Sequence, residues 1–195
     1  MKKVGITGGI GSGKSLVCNI FRCLSVPVFY ADDEAKLLLE TDPAIRSALT
    51  ASFGEELYRS GKLNKQLLAG YIFNNRKNMD IVNKAVHPYV FERFAEWQKE
   101  QTGSAYVIME AAIIFETGAE CFLDTVINIS APEKVRIERV CKRDSVSKEQ
   151  VIERISNQLS ETERKKKADI NLVNDGKVML LPRILEVHEL LSENV

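Results

Sequence analysis

The chain has 195 residues, 45% of them hydrophobic, and its Lys+Arg and Asp+Glu counts are both 27, so the formal net charge is zero. This suits one α/β domain with insertions and a sizeable core, and it excludes the broad basic footprint of a nucleic-acid binder. The longest apolar run, Ala105 to Phe115, is broken by Glu110 and is too short to span a membrane. Met1-Lys2-Lys3 imitates a signal-peptide start, but the apolar run behind it is short and glycine-rich, so a cytoplasmic protein is expected. The four cysteines (Cys18, Cys23, Cys121, Cys141) form no C-x-x-C, and there are two histidines. That argues against zinc and for reduced thiols, with Cys18 in the core.

Lys2 to Thr7, β-branched at Val4, Ile6 and Thr7, predicts a short first strand. It runs into Gly8-Gly9-Ile10-Gly11-Ser12-Gly13-Lys14-Ser15, which fits G-x-x-x-x-G-K-[ST], the P-loop. Gly9, Gly11, Ser12 and Gly13 supply backbone N–H groups that approach a polyphosphate closely. Lys14 reaches the outer phosphates, and the Ser15 hydroxyl is placed for Mg²⁺. Apolar residues at 16, 17, 20, 21 and 24 predict the following helix, whose N-terminal dipole favours the same anion. The loop therefore binds a nucleoside triphosphate or closely similar phosphates.

Val26 to Tyr30 predicts a second buried strand, with Pro27 at its start. Ala31-Asp32-Asp33-Glu34 closes it, and a helix continues through Glu40. Residues 42 to about 101 differ: they read as helices over 44–53, 65–73 and 78–101, with no strand signal. Asp42-Pro43 is an N-cap followed by Pro at the first helical position. Pro88, in His87-Pro88, is expected to kink or end the long helix. Tyr106 to Met109, Thr125 to Ile129 and Ile170 to Val173 predict three further strands. Ser130, Ser147 and Ser160 each stand three residues before Glu or Gln, a capping-box spacing. Asn174-Asp175-Gly176 is a turn, and 178–191 a closing amphipathic helix that carries His188. The run Arg164-Lys165-Lys166-Lys167 reads as a solvated face near a helix end.

Strands alternating with helices predict an α/β fold: a parallel five-stranded sheet flanked by helices, with right-handed crossovers. Ligands in such sheets lie beyond the carboxyl ends of the strands, which gathers the P-loop, Asp32, Glu110 and Asn174 on one rim. Strand two is expected beside the P-loop strand. Asp32 is placed to orient or deprotonate an acceptor hydroxyl, or to hold Mg²⁺; the alternative is a helix N-cap, the role expected of Asp33. Glu110 either holds Mg²⁺ opposite the P-loop hydroxyl or faces solvent. Arg136, Arg139 and Arg143 share a helix face. They either offset transition-state charge from a lid, or form a solvated face paired with Glu133 and Glu138. His87 either touches an anionic substrate or is structural.

Across nearly its full length the chain resembles the dephospho-coenzyme A kinase family. The residues that carry the likeness are Thr7 to Ser15; Pro27-Val28-Phe29-Tyr30-Ala31-Asp32, similar to P-V-I-D-A-D; His87-Pro88; and Glu110-Ala111-Ala112-Ile113-Ile114-Phe115-Glu116, similar to D-x-P-L-L-F-E. In the C-terminal half they are Arg139, Arg143-Asp144, Gln158, Ala168-Asp169 and Asn174-Asp175-Gly176. Tyr30 stands where the family usually has its first Asp, Glu110 replaces a common Asp, Ala112 a Pro, and Leu16 a Thr. The resemblance implies a P-loop NTPase fold in three parts. Residues 1–41, 102–132 and 166–195 form the nucleotide-binding core, 42–101 a helical substrate subdomain and 133–165 a helical lid. It implies transfer of a phosphoryl group from ATP, with Mg²⁺, to the ribose 3′-hydroxyl of dephospho-coenzyme A, the last step of coenzyme A biosynthesis. Asp32 would be the base, and Lys14, Arg139 and Arg143 would stabilise the transferring group. Leu16, Asn174 and Gly176 would join the P-loop in holding the nucleotide. Asp32, His87 and Glu116 would meet dephospho-coenzyme A, and Ser15, Asp32 and Glu110 the metal. These small molecules are the partners implied; no nucleic acid or membrane is, and the oligomeric state is not given. Another small-metabolite kinase would share the core. A GTPase switch would need N-K-x-D, which Asn64-Lys65-Gln66-Leu67 and Asn83-Lys84-Ala85-Val86 both lack.

Overall fold

The structure is a computed structural model and describes residues 1–59, 61–73 and 75–193. Along the chain lie β1 (Lys2–Thr7), α1 (Lys14–Cys23), β2 (Val28–Tyr30), α2 (Ala31–Thr41), α3 (Pro43–Phe53), β3 (Tyr58–Arg59), β4 (Lys62–Leu63), α4 (Lys65–Ile72) and α5 (Arg76–Glu100). Then come β5 (Tyr106–Glu110), α6 (Ile114–Thr117), β6 (Thr125–Ser130), α7 (Glu133–Asp144), α8 (Lys148–Ser156), α9 (Glu161–Lys167), β7 (Ile170–Val173) and α10 (Leu180–Ser192). Two compact units result: Met1–Tyr30 with Gln101–Val195, and Ala31–Glu100. No helix among the described residues is long and apolar enough to cross a membrane.

The first unit is built on a five-stranded sheet in the order β2-β5-β1-β6-β7. Every neighbouring pair runs parallel. β5 is buried at all five residues, which is why its sequence is continuously apolar up to Glu110 rather than alternating. On one face Val4, Ile6, Tyr106, Ile108, Ile127 and Ile129 join a core cluster with Val17, Cys18 and Phe21 of α1 and Ile184, Val187 and Leu191 of α10. Each such side chain contributes about 1.5–3 kcal/mol by leaving water. Phe21 meets Tyr106 edge-on at 6.3 Å, and the Tyr106 hydroxyl is 2.7 Å from His188 Nδ1. Sheet order corrects one expectation. β2 pairs with β5, and β5 separates it from β1. The preference for neighbouring consecutive strands is overridden because the long connection from β2 to β5 leaves β5 to take the place beside β1.

The second unit is helical, as its sequence predicts, with one exception. Tyr58–Arg59 and Lys62–Leu63 pair as a small antiparallel hairpin around Gly61, where no strand is expected. Two-residue strands fall below the length at which alternation can be read. Asp42 caps α3, accepting from Ala44 N at 2.8 Å and Ile45 N at 3.0 Å. α5 runs unbroken through Pro88 for 25 residues, so Pro88 does not end it. Its buried stripe of Val82, Val86, Val90 and Phe94 lies on both sides of the proline, and that burial outweighs the hydrogen bond lost at Pro88. Two capping expectations also change. α2 begins at Ala31, so Asp33 lies inside the first turn and pairs with Lys36 at 2.7 Å instead of capping. Ser130 ends β6, where its Oγ donates to Leu172 O at 3.3 Å, and α7 starts behind Pro132 without a side-chain cap.

Candidate active site

The P-loop connects the carboxyl end of β1 to α1. Its geometry is fixed from both sides. Gly13 is the N-cap of α1 at φ 97°, a left-handed conformation that favours glycine. A Cβ there would also lie 2.1 Å from Asn174 Nδ2, which donates to Ser12 O at 2.9 Å. On the other side Ile10 N donates to Gln158 Oε1 at 2.9 Å. The first N–H groups of α1 have no intrahelical acceptor, and the helix dipole adds positive potential there. Lys14 Nζ donates to Gly8 O at 3.0 Å and lies 3.9 Å from Glu110 Oε1. Ser15 and Leu16 are exposed at the start of the helix.

Glu110 is 8% exposed, so of its two readings the solvent-facing one is excluded. Beneath the loop, Cys18 is buried, and burial followed by the charge of Glu110 pushes its thiol up to about 12, which keeps it protonated.

The three arginines expected on one face of α7 occupy three environments. Arg143 chelates its neighbour Asp144, at 2.6 and 3.0 Å, and is largely exposed; Arg154 shares the same carboxylate at 3.2 Å. Arg139 is half-buried and donates to Asn174 O at 3.0 Å and Asn174 Oδ1 at 3.4 Å, near the Gly176 turn. Arg136 is 3% exposed against Gly9. Burial lowers its pKa and Glu161 opposes that, while Arg164 adds to the lowering. Arg164, expected in a solvated run, is instead 1% exposed. Its guanidinium bonds Leu159 O and pairs with Glu161 at 3.1 Å. Sequence reasoning names Arg136 on a lid face and Arg164 in a solvated run, and misses the burial of both. The available signal was register: Arg136 and Val140 are the buried residues of α7, four apart.

Glu116 is exposed, and its carboxylate accepts from Leu159 N at 2.9 Å. In the helical unit His87 is half-buried and within range of the Asp32 charge. Burial lowers the His87 pKa, and the Asp32 charge works against it. Among the described residues no three His, Cys, Asp or Glu side chains form a metal cage.

The family model described as dephospho-CoA kinase matches residues 2–179. A dephospho-CoA kinase from Bacteroides fragilis is 40% identical over 193 residues, covering 99% of this chain and 94% of that one. One from Porphyromonas gingivalis is 38% identical over 190 residues, covering 97% and 94%. A solved structure from Thermus thermophilus has a TM-score of 0.86 at 31% identity and covers 100% of this chain and 98% of its own.

Proposed function

The chain belongs to the dephospho-CoA kinase family and phosphorylates dephospho-CoA with ATP, and we propose that the phosphoryl group goes to the ribose 3′-hydroxyl with Asp32 as the base. The observation that carries the site reading is the P-loop itself, tied to Asn174 on one side and Gln158 on the other, with Lys14 beside Glu110. A loop fixed in advance holds phosphates without paying to order them at the moment of reaction.

In this reading Gly9, Gly11, Ser12, Gly13, Lys14, Ser15 and Leu16 line the phosphate path. Asn174 and Gly176 serve the remainder of the nucleotide, and Arg139, already tied to Asn174, joins Lys14 and Arg143 in stabilising the transferring group. Lys14 offsets charge on the outer phosphates. Arg143 first leaves Asp144, whose carboxylate keeps Arg154 as a partner. Asp32 accepts the hydroxyl proton, as a general base one residue past Ala31, where β2 has ended. His87, acting beside Asp32, and Glu116 meet dephospho-CoA. Residues 42–101 form the part that takes this substrate, and 133–165 the lid.

Mg²⁺ suits the donors present: the Ser15 hydroxyl and the Glu110 and Asp32 carboxylates are hard oxygen ligands, and phosphate oxygens and water complete such shells. When bound, the ion would supply positive charge that offsets the charge of the phosphates. The test is direct. Purified protein with ATP and Mg²⁺ should form ADP and coenzyme A from dephospho-CoA and leave nucleoside monophosphates untouched. Transfer to a monophosphate and none to dephospho-CoA would overturn the reading.

A further inference from the structure

Two arginines beside Gly9 have no role in the mechanism above. Arg136 and Arg164 are 3% and 1% exposed. Arg136 Nε and Nη1 and Arg164 Nε are buried without a hydrogen-bond partner among the described residues. Guanidinium groups are seldom buried with unmet donors, because each loses its hydration without replacement. The carboxylate at hand does not settle the account. Glu161 pairs with Arg164 Nη2 at 3.1 Å and also accepts from Asn128 Nδ2 at 3.3 Å. Glu161 thus faces two guanidiniums, and Glu133 adds only its charge on Arg136, so three guanidinium nitrogens find no acceptor among the described residues.

Their direction is set by Gly9. A Cβ built there would lie 1.9 Å from Arg136 Nη1 and 2.8 Å from Arg164 Nη2. Both guanidiniums therefore converge on the bare face of the first variable P-loop residue. Gly9 is not among the residues with positive φ, so what its missing Cβ provides is room for the two guanidiniums rather than a backbone conformation. Ser12 Oγ, in the same loop, is likewise buried without a partner among the described residues.

We propose that Arg136 and Arg164 are a paired receptor for the terminal phosphoryl group of the bound nucleoside triphosphate, and so make the loop discriminate a triphosphate from a diphosphate. The proposal rests on the reading of the P-loop as a nucleotide site. The loop backbone and the start of α1 serve the inner phosphates. The outermost one brings the additional negative charge, and a guanidinium fork matches its oxygens. The three nitrogens are closed to solvent here, so the guanidiniums rotate off Gly9 to meet that group.

The experiment compares the affinities of a non-hydrolysable ATP analogue and of ADP, by calorimetry, in the wild type, Arg136→Gln and Arg136→Lys. Arg136 is the position to change, because Arg164 also holds Leu159 O and Glu161. In Arg136→Gln the analogue should weaken by about 10-fold or more, the size of a lost charge-assisted hydrogen bond, and ADP by less than about 2-fold. Arg136→Lys keeps the charge without the fork and should fall between; it also serves alone if the glutamine variant does not fold. Equal losses for both nucleotides, or no loss, would show a purely structural arginine and overturn the proposal. If the wild type binds neither nucleotide, it is the nucleotide reading of the loop that fails.

Discussion

Asp32 and Asp33 are adjacent yet differently placed, and the difference sets what each substitution does. Asp32 is half-buried and acts on His87; Asp33 is exposed and pairs with exposed Lys36. As the proposed base, Asp32→Asn should lower kcat by roughly 10²-fold with little change in melting temperature. Asp33→Ala loses a surface ion pair and a favourable first-turn charge, so it should cost no more than about 1 kcal/mol and keep activity. Loss of phosphoryl transfer in Asp33→Ala alone would move the base to the neighbour. His87 gives a pH test. Its folded pKa lies below the ordinary 6.5 because it is buried. As pH falls past 6.5 the unfolded chain takes up the proton first, so stability is full above that pH and declines below it. The acid-side fall in melting temperature should be shallower in His87→Gln; equal slopes would exclude His87 as a contributor. At this scale the sequence was legible where chemistry dictates residue type. Gly13, Lys14 and Asn174 stand together beside the loop as expected. Arg136 and Arg164 were hidden because a buried arginine is written with the same letter as a solvated one, and only the fold decides which it is.

Helices and strands were read well where their periodicity is long, and poorly at their ends. β1, β5 and β7 follow their apolar runs, and α8 has its full capping box, with Ser147 and Gln150 bonded reciprocally. Ser130 has the same spacing but serves a strand, because β6 continues to that residue before the chain turns at Pro132. Spacing alone cannot say whether the backbone at the serine is already leaving the sheet. α5 makes the related point for proline. At Pro88 the helix gives up one N–H to the Lys84 carbonyl, and the buried stripe carries it across. Replacing an exposed interior proline by alanine removes a penalty of about 3 kcal/mol in the helix. It also frees the unfolded chain, at about 0.4–1 kcal/mol. Pro88→Ala should therefore raise stability by roughly 2 kcal/mol in urea denaturation. An unchanged or lowered midpoint would mean that α5 has adapted its packing to the ring.

At the scale of the molecule, the chain carries no net charge while its substrates are polyanions, so attraction has to be local. The first unit concentrates it: the start of α1, Lys14, Arg136, Arg139 and Arg164 all lie around one loop. The second unit is organised differently, with an apolar stripe on α5 and a half-buried His87 under the influence of the Asp32 charge. We assign the two substrates to the two units on that contrast, the nucleotide to the sheet and dephospho-CoA to the helices. Ligand binding opposes local opening, so each ligand should slow amide hydrogen exchange where it binds. A non-hydrolysable ATP analogue should protect 8–24 and the segment from α7 to α9, because Gln158, and Arg139 through Asn174, already join that segment to the loop. Dephospho-CoA alone should protect α2 to α5, including the turn of α5 that holds His87, together with α6 around Glu116. The two ligands should then differ in pattern and not only in extent. Protection by dephospho-CoA confined to 1–30 and 101–193 would remove that substrate from the helical unit and leave Asp32 without the acceptor it is proposed to deprotonate.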